Sequence, residues 1–595
     1  MPGAIEDAVA TDVVIIGAGG AGMRAAIAAA GKGAKVILLT KGQAARSGAT
    51  PMACPSYQAV FAMEDNRDNP DLAFEDTCFE GRYLGDENLI HVLTHEATDR
   101  ATDMLKYGVK YRTKKNGTFL QVVHPGHSFE RNLVIIGSGY AMAASLRREV
   151  LKCENVTLLE DVIATRLLRA KDRIAGLVAL DMRRGMPIVL RAPSIIMATG
   201  GYPELWRWTD TEPGLTGEGV YLSYLAGADL VDLEMMLYYP TGLCYPTEAE
   251  GTLVQYEGLM TYCQGAMLNG LGEPFLPKTD SLPVRDVMMK LMFREIEEGR
   301  ATPHGGIYID LTKSPKSGEE AMEILRRLDS LPYNQLRDLR IDVLKEPIEV
   351  RPVTHYTLGG VRINEWAETT VPGLFAAGEV SGNIHGANRT SGNALAETQV
   401  FGARAGARAA EYAQAAAGAP PLDRAVVEAE LRRTEGLLQE HPERIRPIDL
   451  KRKVKSIMHD HVHYRRDAEG LRTALESLRQ LKEEVVPRLR AVGGLRVYNY
   501  EWEEALEAAQ MVNLAELVTA AALAREESRG HHWRTDFPHM RREWEKHTII
   551  RRQNETSYLV TDAPVVRLRD RSKVRRAADP TLVNAGVLEA DVEGS

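Results

Sequence analysis

Residues 12–30 read DVVIIGAGGAGMRAAIAAA, and this run sets the architecture of the first part of the chain. It joins a β-rich segment, a glycine-rich turn and an alanine-rich helical segment. Gly17 permits the tight turn, Gly19 lets the backbone approach a pyrophosphate, and Gly22 allows close packing of helix on strand. The helix N-terminus then faces the phosphates with free N–H groups and the positive end of its dipole. The run therefore predicts a dinucleotide site rather than a purely structural turn, with contacts from Gly17, Gly19, Gly20, Ala21 and Gly22.

A second apolar strand is predicted at residues 35–39, which completes the strand–helix–strand unit of such a site. The acidic residue that usually follows this strand and binds the ribose is absent. Thr40 and Lys41 stand in its place. The motif alone therefore does not distinguish FAD from NAD.

The composition is that of a soluble globular protein, because 44% of the 595 residues are hydrophobic and 26% are charged. A chain of this length predicts about three to four domains. Its net charge of −9 argues against a protein that binds nucleic acid. No apolar run reaches the ~18 residues of a membrane span, and residues 1–11 lack the apolar core of a signal peptide. We therefore expect an intracellular protein with no membrane span of its own.

The five cysteines are scattered along the chain, at Cys54, Cys78, Cys153, Cys244 and Cys263. None belongs to a Cys-x-x-Cys pair, so this spacing ligates neither an iron–sulfur cluster nor a structural zinc ion. An odd count without a signal peptide indicates reduced thiols. No metal site is predicted.

The distribution of strand and helix patterns divides the chain. Residues 1–235 and 351–415 share short apolar strands that end in glycine. Residues 236–350 form an insertion with many glycines and prolines, and residues 422–545 carry amphipathic helical patterns. The simplest arrangement is an α/β nucleotide-binding domain with a second domain inserted, then a helical domain and a C-terminal extension at residues 546–595.

Several later motifs resemble the flavoprotein subunit of the succinate dehydrogenase/fumarate reductase family. The most specific are HYTLGG at 355–360, HGANR at 385–389, SGNALAE at 391–397 and ESRGH at 527–531. L-Aspartate oxidase is similar in the same places. The resemblance covers nearly the whole chain and implies a Rossmann-type FAD-binding domain, an inserted α+β capping domain that holds the substrate, and a C-terminal helical domain.

The resemblance also implies FAD as the cofactor. Beyond the glycine run, the residues that it assigns to FAD are Thr40, Lys41, Ser47, Gly48, Ala198, Thr199, Gly200, Glu218, Glu379, Arg389, Asn393, Ala394 and Leu395. Membrane-bound members of the family bond FAD covalently through a histidine at the position of Gly48. Glycine has no side chain, so we expect non-covalent FAD.

Four residues match the catalytic residues of that family. Arg285 matches the arginine that transfers a proton, and Glu257 matches the carboxylate that relays it. His355 and Arg389 match the pair that binds the substrate carboxylate near the reacting carbons. Without the resemblance, Arg285 and Asp286 would be interpreted as a surface charge pair.

The other end of the predicted substrate pocket departs from the family pattern. Tyr239, two residues before Thr241, replaces a histidine, and Tyr256 replaces a threonine. One interpretation is a substrate with a carboxylate near the reacting bond and a different distal group. A second is the usual dicarboxylate held by tyrosine hydroxyls, and a third is lost catalysis.

Together these features predict an FAD-dependent oxidoreductase that transfers a hydride between flavin N5 and a C–C or C=C bond of a small carboxylate, not necessarily succinate or fumarate. A separate iron–sulfur subunit would exchange electrons with the flavin, because this chain lacks cluster ligands. The alternatives are a stand-alone flavin oxidase similar to L-aspartate oxidase, or a flavin-binding subunit without catalysis. We expect a cytoplasmic enzyme whose attachment to a membrane, if any, is through partner subunits.

Overall fold

A computed structural model describes residues 8–63, 65–278, 282–328, 333–416, 418–554 and 556–568, without the side chains of residues 333–335. Residues 569–595, which make up the second half of the predicted C-terminal extension, lie outside the described part. So does Ala417, between the predicted nucleotide-binding and helical domains.

The first part of the chain is built around a five-stranded parallel sheet. Its strands, in spatial order, are Leu374–Ala376, Ser194–Met197, Val13–Ile16, Val36–Thr40 and Val156–Glu160. Val13–Ile16 lies in the middle and is wholly buried, as expected for a parallel strand covered on both faces. The predicted helix follows directly as Gly20–Gly31. The α/β fold of Rossmann type is therefore confirmed.

Further sheets surround this core. A mixed sheet contains Val9–Ala10, Met186–Arg191, Arg173–Asp181 and Val162–Ala170, and a small sheet contains Ser56–Gln58, Asn132–Val134 and Gln121–Val122. The helices of the same region are Ala49–Met52, Pro70–Glu80, Glu87–Lys106, Ser138–Lys152, Glu218–Leu225 and Asn393–Ala415.

The inserted region has its own antiparallel sheet and hydrophobic core. The strands, in spatial order, are Met236–Leu243, Ile348–Thr357, Ile307–Asp310 and Ala266–Leu268, and the helices are Arg285–Glu297, Gly318–Leu328 and Tyr333–Asp338. The strand Ile348–Thr357 crosses the predicted boundary between residues 350 and 351. This strand carries His355 out of the insertion and back into the first part of the chain.

The C-terminal part contains four longer helices, Arg424–Gly436, Pro447–His461, Ala468–Gln480 and Tyr500–Ala524, and a short two-stranded pairing of Arg465–Arg466 with Trp533–Arg534. Within the described ranges, only Tyr500–Ala524 is long and apolar enough to cross a membrane. However, 83% of its apolar window is buried inside the protein, as in the core helix of a helical domain.

The start of the predicted C-terminal extension packs against the first part of the chain. Strands Lys546–Arg552 and Tyr558–Pro564 form a sheet with Leu230–Val231 and Gly360–Val361. Arg525 is fully buried beside this sheet and contacts the carboxylates of Asp232, Glu234 and Glu527. The domain division itself stays a prediction, but residues 546–568 do not project away from the core.

Two helices that are far apart in sequence cross in backbone contact. A Cβ atom on Gly406, in Asn393–Ala415, would lie 2.2 Å from the carbonyl oxygen of Ala25 in Gly20–Gly31. One on Gly402 would lie 2.7 Å from the carbonyl oxygen of Ala21. The absence of side chains at these glycines therefore sets the distance between the helices.

This contact predicts the effect of adding one methyl group. Gly406→Ala should lower the free energy of unfolding by about 1–3 kcal/mol, because an overpacked core shifts its backbone. Gly436→Ala is the matched control, since Gly436 is also helical and has nothing within 4 Å of the place that a Cβ atom would take. That control should be neutral or stabilising by up to about 1 kcal/mol. Urea unfolding followed by circular dichroism measures both, and equal effects would contradict the contact.

Candidate active site

A large cavity runs between the parallel sheet, the inserted region and the helical region. Its volume is about 1090 Å³, at the upper end of the ~300–1,000 Å³ of ordinary ligand sites. It begins at the Gly17–Ala21 turn, passes the start of the helix Asn393–Ala415 and reaches Arg285 and His355. One continuous space therefore joins the predicted dinucleotide site to the predicted catalytic residues.

Two helix N-termini meet at the cavity wall. The N-caps are Gly19 for Gly20–Gly31 and Gly392 for Asn393–Ala415, and neither supplies a side chain to cap its helix. Both glycines line the cavity. Exposed N–H groups and positive dipole ends favour anionic ligands at both places.

The predicted cofactor residues fall into two groups. Those lining the cavity are Gly17, Gly19, Gly20, Ala21, Thr40, Lys41, Ser47, Gly48, Ala198, Thr199, Gly200, Glu218, Glu379, Arg389, Ala394 and Leu395. Gly22 and Asn393 do not line it. A Cβ on Gly22 would lie 1.8 Å from the carbonyl oxygen of Gly17, so Gly22 serves the turn itself, and the Asn393 amide bonds Thr77 Oγ1 at 3.4 Å.

Lys41 is held inside the protein instead of pointing freely at a ligand. Its ammonium group contacts the carboxylates of Glu218 and Glu507 and donates to the carbonyl oxygen of Gly214 at 2.6 Å. Burial alone would lower the pKa of Lys41, but the two carboxylates outweigh burial and raise it. Lys41 therefore stays charged and fixes this end of the cavity to the helix Tyr500–Ala524.

The cavity fits the predicted dinucleotide. A side chain on Gly17 would strike the backbone of Ala198, and one on Gly22 would strike the carbonyl oxygen of Gly17, so the turn keeps its shape only with glycine. Thr199 Oγ1 and Arg389 Nε are buried and have no hydrogen-bond partner in the described part of the protein. Both residues line the cavity, where a ligand's polar groups would satisfy them.

Arg285 and Glu257 form a buried ion pair, with Arg285 Nη2 3.3 Å from Glu257 Oε1. The Tyr239 hydroxyl donates to Glu257 Oε2 at 2.6 Å, and the Tyr239 ring centre lies 5.0 Å from the Arg285 guanidinium carbon. Burial raises the pKa of Glu257, but Arg285 outweighs it and holds the pKa below its ordinary value. Burial lowers the pKa of Arg285, and Glu257 more than offsets this. Both groups are therefore charged at neutral pH.

Arg285 is the first residue of the helix Arg285–Glu297, and its neighbour Asp286 anchors that end. Asp286 is buried and accepts two hydrogen bonds of 2.7 Å from Arg82. Tyr464, from the helical region, donates to the carbonyl oxygen of Asp286 at 3.0 Å. The interpretation of Arg285 and Asp286 as a surface charge pair is therefore wrong, because both are buried and each pairs elsewhere.

His355 and Arg389 both line the cavity near Arg285. His355 Nδ1 lies 2.8 Å from Asp210 Oδ2, which leaves Nε2 for a ligand. Burial lowers the pKa of His355 despite Asp210. Burial and the nearby Arg285 lower the pKa of Arg389 to about 10. An anion next to these residues would stabilise the charged form of both.

Arg389 is supported from behind by a hydrogen-bonded cluster. The Tyr356 ring lies 4.7 Å from the Arg389 guanidinium carbon, and the Tyr356 hydroxyl donates to Glu397. His385 Nε2 bonds the same carboxylate at 2.9 Å. His385 thus shapes the loop that carries Arg389.

Of the residues predicted to form the substrate pocket and the proton relay, only Tyr239 among the following four lines the cavity. Tyr239 lines the cavity, whereas Thr241, Tyr256 and Glu257 do not. The Thr241 hydroxyl donates to the carbonyl oxygen of Val254, and Tyr256 is fully buried. The geometry therefore argues against direct contact of Thr241 or Tyr256 with the substrate.

Sequence reasoning missed three cavity residues. Asp210 orients His355, Thr50 Oγ1 accepts from the Gly20 N–H at 2.9 Å, and Gln255 lines the substrate end. None belongs to a sequence motif. Their proximity to the site arises from loops that only the folded chain brings together, although Gln255 lies two residues from Glu257.

Comparison with known families matches two parts of the chain. Residues 12–395 match the FAD binding domain family, and residues 451–574 match the family of the fumarate reductase flavoprotein C-terminal region. The first match alone covers more than half of the chain.

Individual proteins are similar over nearly the full length. A fumarate reductase (CoM/CoB) subunit from Methanothermobacter marburgensis is 36% identical over 560 residues, 92% of this chain and 98% of that protein. The Streptomyces coelicolor L-aspartate oxidase is 29% identical and covers 94% of each chain. A solved mutant of Escherichia coli quinol fumarate reductase superimposes with a TM-score of 0.85 at 28% identity, covering 94% of this chain and 97% of that one.

Glu379 gives the site a testable pH dependence. Burial raises its pKa from 4.5 to about 7 in the folded protein. The folded state therefore binds a proton more tightly than the unfolded state, and stability falls as the pH rises through that window. Glu379→Gln removes the ionisable group and with it this pH-dependent loss of stability. The cofactor-free variant should therefore be about 3 kcal/mol more stable than wild type at pH 8.

At pH 5 the two proteins should agree within about 1 kcal/mol, because Glu379 is then neutral in the folded state. Urea unfolding at both pH values measures the difference, and the exposed Glu346→Gln serves as control. A difference between Glu379→Gln and wild type that does not change with pH would contradict the raised pKa.

Proposed function

We propose that this chain, which belongs to the family of fumarate reductase and succinate dehydrogenase flavoprotein subunits, interconverts C–C and C=C bonds of a small carboxylate. Members of this family are FAD-dependent oxidoreductases that act on CH–CH groups. FAD is its cofactor and supplies two-electron hydride chemistry at flavin N5 when bound. The single observation that carries the proposal is the meeting of Arg285, His355 and Arg389 on one cavity that also contains the dinucleotide turn.

Arg285 donates the proton in the proposed reaction. Reduction of a C=C bond adds a hydride to one carbon and a proton to its neighbour. Arg285 faces the cavity, and Glu257 behind it takes up a proton from the protein or solvent side and passes that proton to the guanidinium after each transfer. Tyr239 holds Glu257 in this orientation through its hydroxyl. The ionised Glu257 keeps the guanidinium of Arg285 protonated between turnovers, so that a proton is available when the substrate binds.

The substrate carboxylate is bound by Arg389 and His355. Arg389 is only 5% exposed and offers a planar set of donors suited to a carboxylate. A bound carboxylate raises the pKa of the neighbouring His355, so binding favours the protonated imidazole held by Asp210. These two groups orient the substrate and polarise its double bond toward hydride addition.

The electrons are exchanged with a separate iron–sulfur subunit in this proposal. The five scattered cysteines provide no cluster spacing, and the described residues contain no group of three or more His, Cys, Asp or Glu side chains placed to hold a metal ion. The enzyme would be cytoplasmic and would reach a membrane only through partner subunits. FAD is held without a covalent bond at Gly48.

The second candidate is a stand-alone oxidase, favoured by the similarity to an L-aspartate oxidase. Rapid reoxidation of the reduced, purified chain by O₂, with no co-purifying iron–sulfur protein, would support it. A stoichiometric iron–sulfur subunit and slow reaction with O₂ would support the first candidate.

The reaction is tested with reduced benzyl viologen as electron donor, because the dye replaces the natural partner. Fumarate, its monoamide and crotonate serve as oxidants. We expect dye oxidation with at least one of them. Absence of turnover with all three, while FAD is bound and reducible by dithionite, would reject the proposed function.

The role of Arg285 is tested by Arg285→Gln. Loss of the proton donor should lower kcat about 10²-fold or more, because general acid catalysis contributes about 10²–10⁴-fold. FAD content and reduction by dithionite should stay unchanged. Arg300→Gln is the control, since Arg300 pairs with Glu295 and Glu298 at the surface of the same inserted region. A kcat that falls equally in both variants would argue against a proton-transfer role.

A further inference from the structure

The cavity offers a substrate one cation that the protein has not already neutralised. The lysines and arginines that line it are Lys41, Arg285, Arg389 and Lys451. Lys41 pairs with Glu218, Arg285 pairs with Glu257, and Lys451 pairs with Glu507 at 2.6 Å. Arg389 alone, among these described side chains, forms no ion pair with a carboxylate. Among the lysines and arginines of the cavity, Arg389 is therefore the one left to pair with a substrate carboxylate.

Two hydroxyl groups near the catalytic pair are already engaged with the protein, and a third, that of Tyr256, is buried behind the cavity wall. Tyr239 donates its proton to Glu257, and Thr241 donates to a backbone carbonyl behind the wall. Each hydroxyl has a single proton to give. Neither residue is free to donate to a second carboxylate at the far end of a substrate.

Gln255 is a polar side chain that lines the cavity in the same segment as Glu257. It is only 6% exposed, lines the cavity and lies two residues before Glu257. Its side-chain amide has no hydrogen-bond partner in the described part of the chain, whereas its backbone carbonyl accepts from the Gly258 N–H. The donor and the acceptor of this amide are therefore available to a ligand that enters the cavity.

We propose that Gln255 binds the distal end of the substrate and that this end is an uncharged carbonyl group, such as a carboxamide or an ester. This inference rests on the proposed function and specifies its substrate class as a 2-enoic acid with one carboxylate. The carboxylate lies at Arg389 and His355, and the neutral carbonyl lies at Gln255. An amide donates to and accepts from a carboxamide in a matched pair.

A second carboxylate is disfavoured at the same place for an electrostatic reason. It would be removed from water without a cation to compensate it, since Arg285 is already paired with Glu257. A neutral group avoids this cost.

The test compares fumarate, the monoamide of fumarate and crotonate as oxidants of reduced benzyl viologen, using the FAD-loaded full chain. We expect kcat/KM for the monoamide to exceed that for fumarate by about tenfold or more, mainly through KM, because one net hydrogen bond and one uncompensated charge separate them. Crotonate has a methyl group in place of the distal carbonyl. It should be used with a kcat similar to that of the monoamide and a higher KM.

Two variants test the contribution of the Gln255 side chain to substrate binding. Gln255→Met keeps the length of the side chain and should raise KM for the monoamide about tenfold while changing crotonate less than about twofold. Gln255→Lys supplies a cation and should shift the preference toward fumarate. FAD content and dithionite reduction confirm that each variant is folded.

A preference of the wild type for fumarate, or equal effects of Gln255→Met on all three acids, would overturn this inference and leave the proposed function standing. Absence of turnover with every acid, with FAD bound and reducible, would overturn the proposed function and this inference with it. The two failures are therefore distinguishable in one assay.

Discussion

The backbone contact between the helices Gly20–Gly31 and Asn393–Ala415 is the constraint on which the cavity depends. Gly402 and Gly406 let the second helix approach the carbonyl oxygens of the first. This approach fixes both helix N-termini at one wall, although more than 370 residues separate them in the chain. Two positive helix ends converge there on one ligand. Removing the close contact would separate the dinucleotide turn from the segment that carries Arg389.

Buried charge pairs organise the other end of the cavity. Asp286, held by Arg82, fixes the start of the helix that carries Arg285, and Glu257 then receives the guanidinium. Removing one partner of such a pair leaves an uncompensated charge and is costly, so these networks tolerate little change. Arg389 differs because it forms no ion pair with a carboxylate of the described chain. The guanidinium of Arg389 is therefore available to pair with an anionic ligand.

Family membership determines the kind of chemistry, and the departures from the family pattern concern the substrate. FAD and hydride chemistry at a CH–CH unit are common to the family. The resemblance predicts a histidine and a threonine at the positions of Tyr239 and Tyr256. In the folded protein the Tyr239 hydroxyl donates to Glu257, so its proton is not available to a ligand in the cavity.

The sequence by itself determined the Rossmann-type unit, because glycine turns and apolar periodicity are local properties. Most of the cofactor residues that it named line the cavity. It also placed Arg285, His355 and Arg389 through local motifs. It did not show that Lys41 is tied to Glu507, that Asp210 orients His355 or that Gln255 lines the substrate end. Nor did it reveal that Thr241 and Tyr256 lie behind the wall. Only the tertiary structure decided these points, because hydrogen-bond partners and burial depend on segments that are distant in the chain.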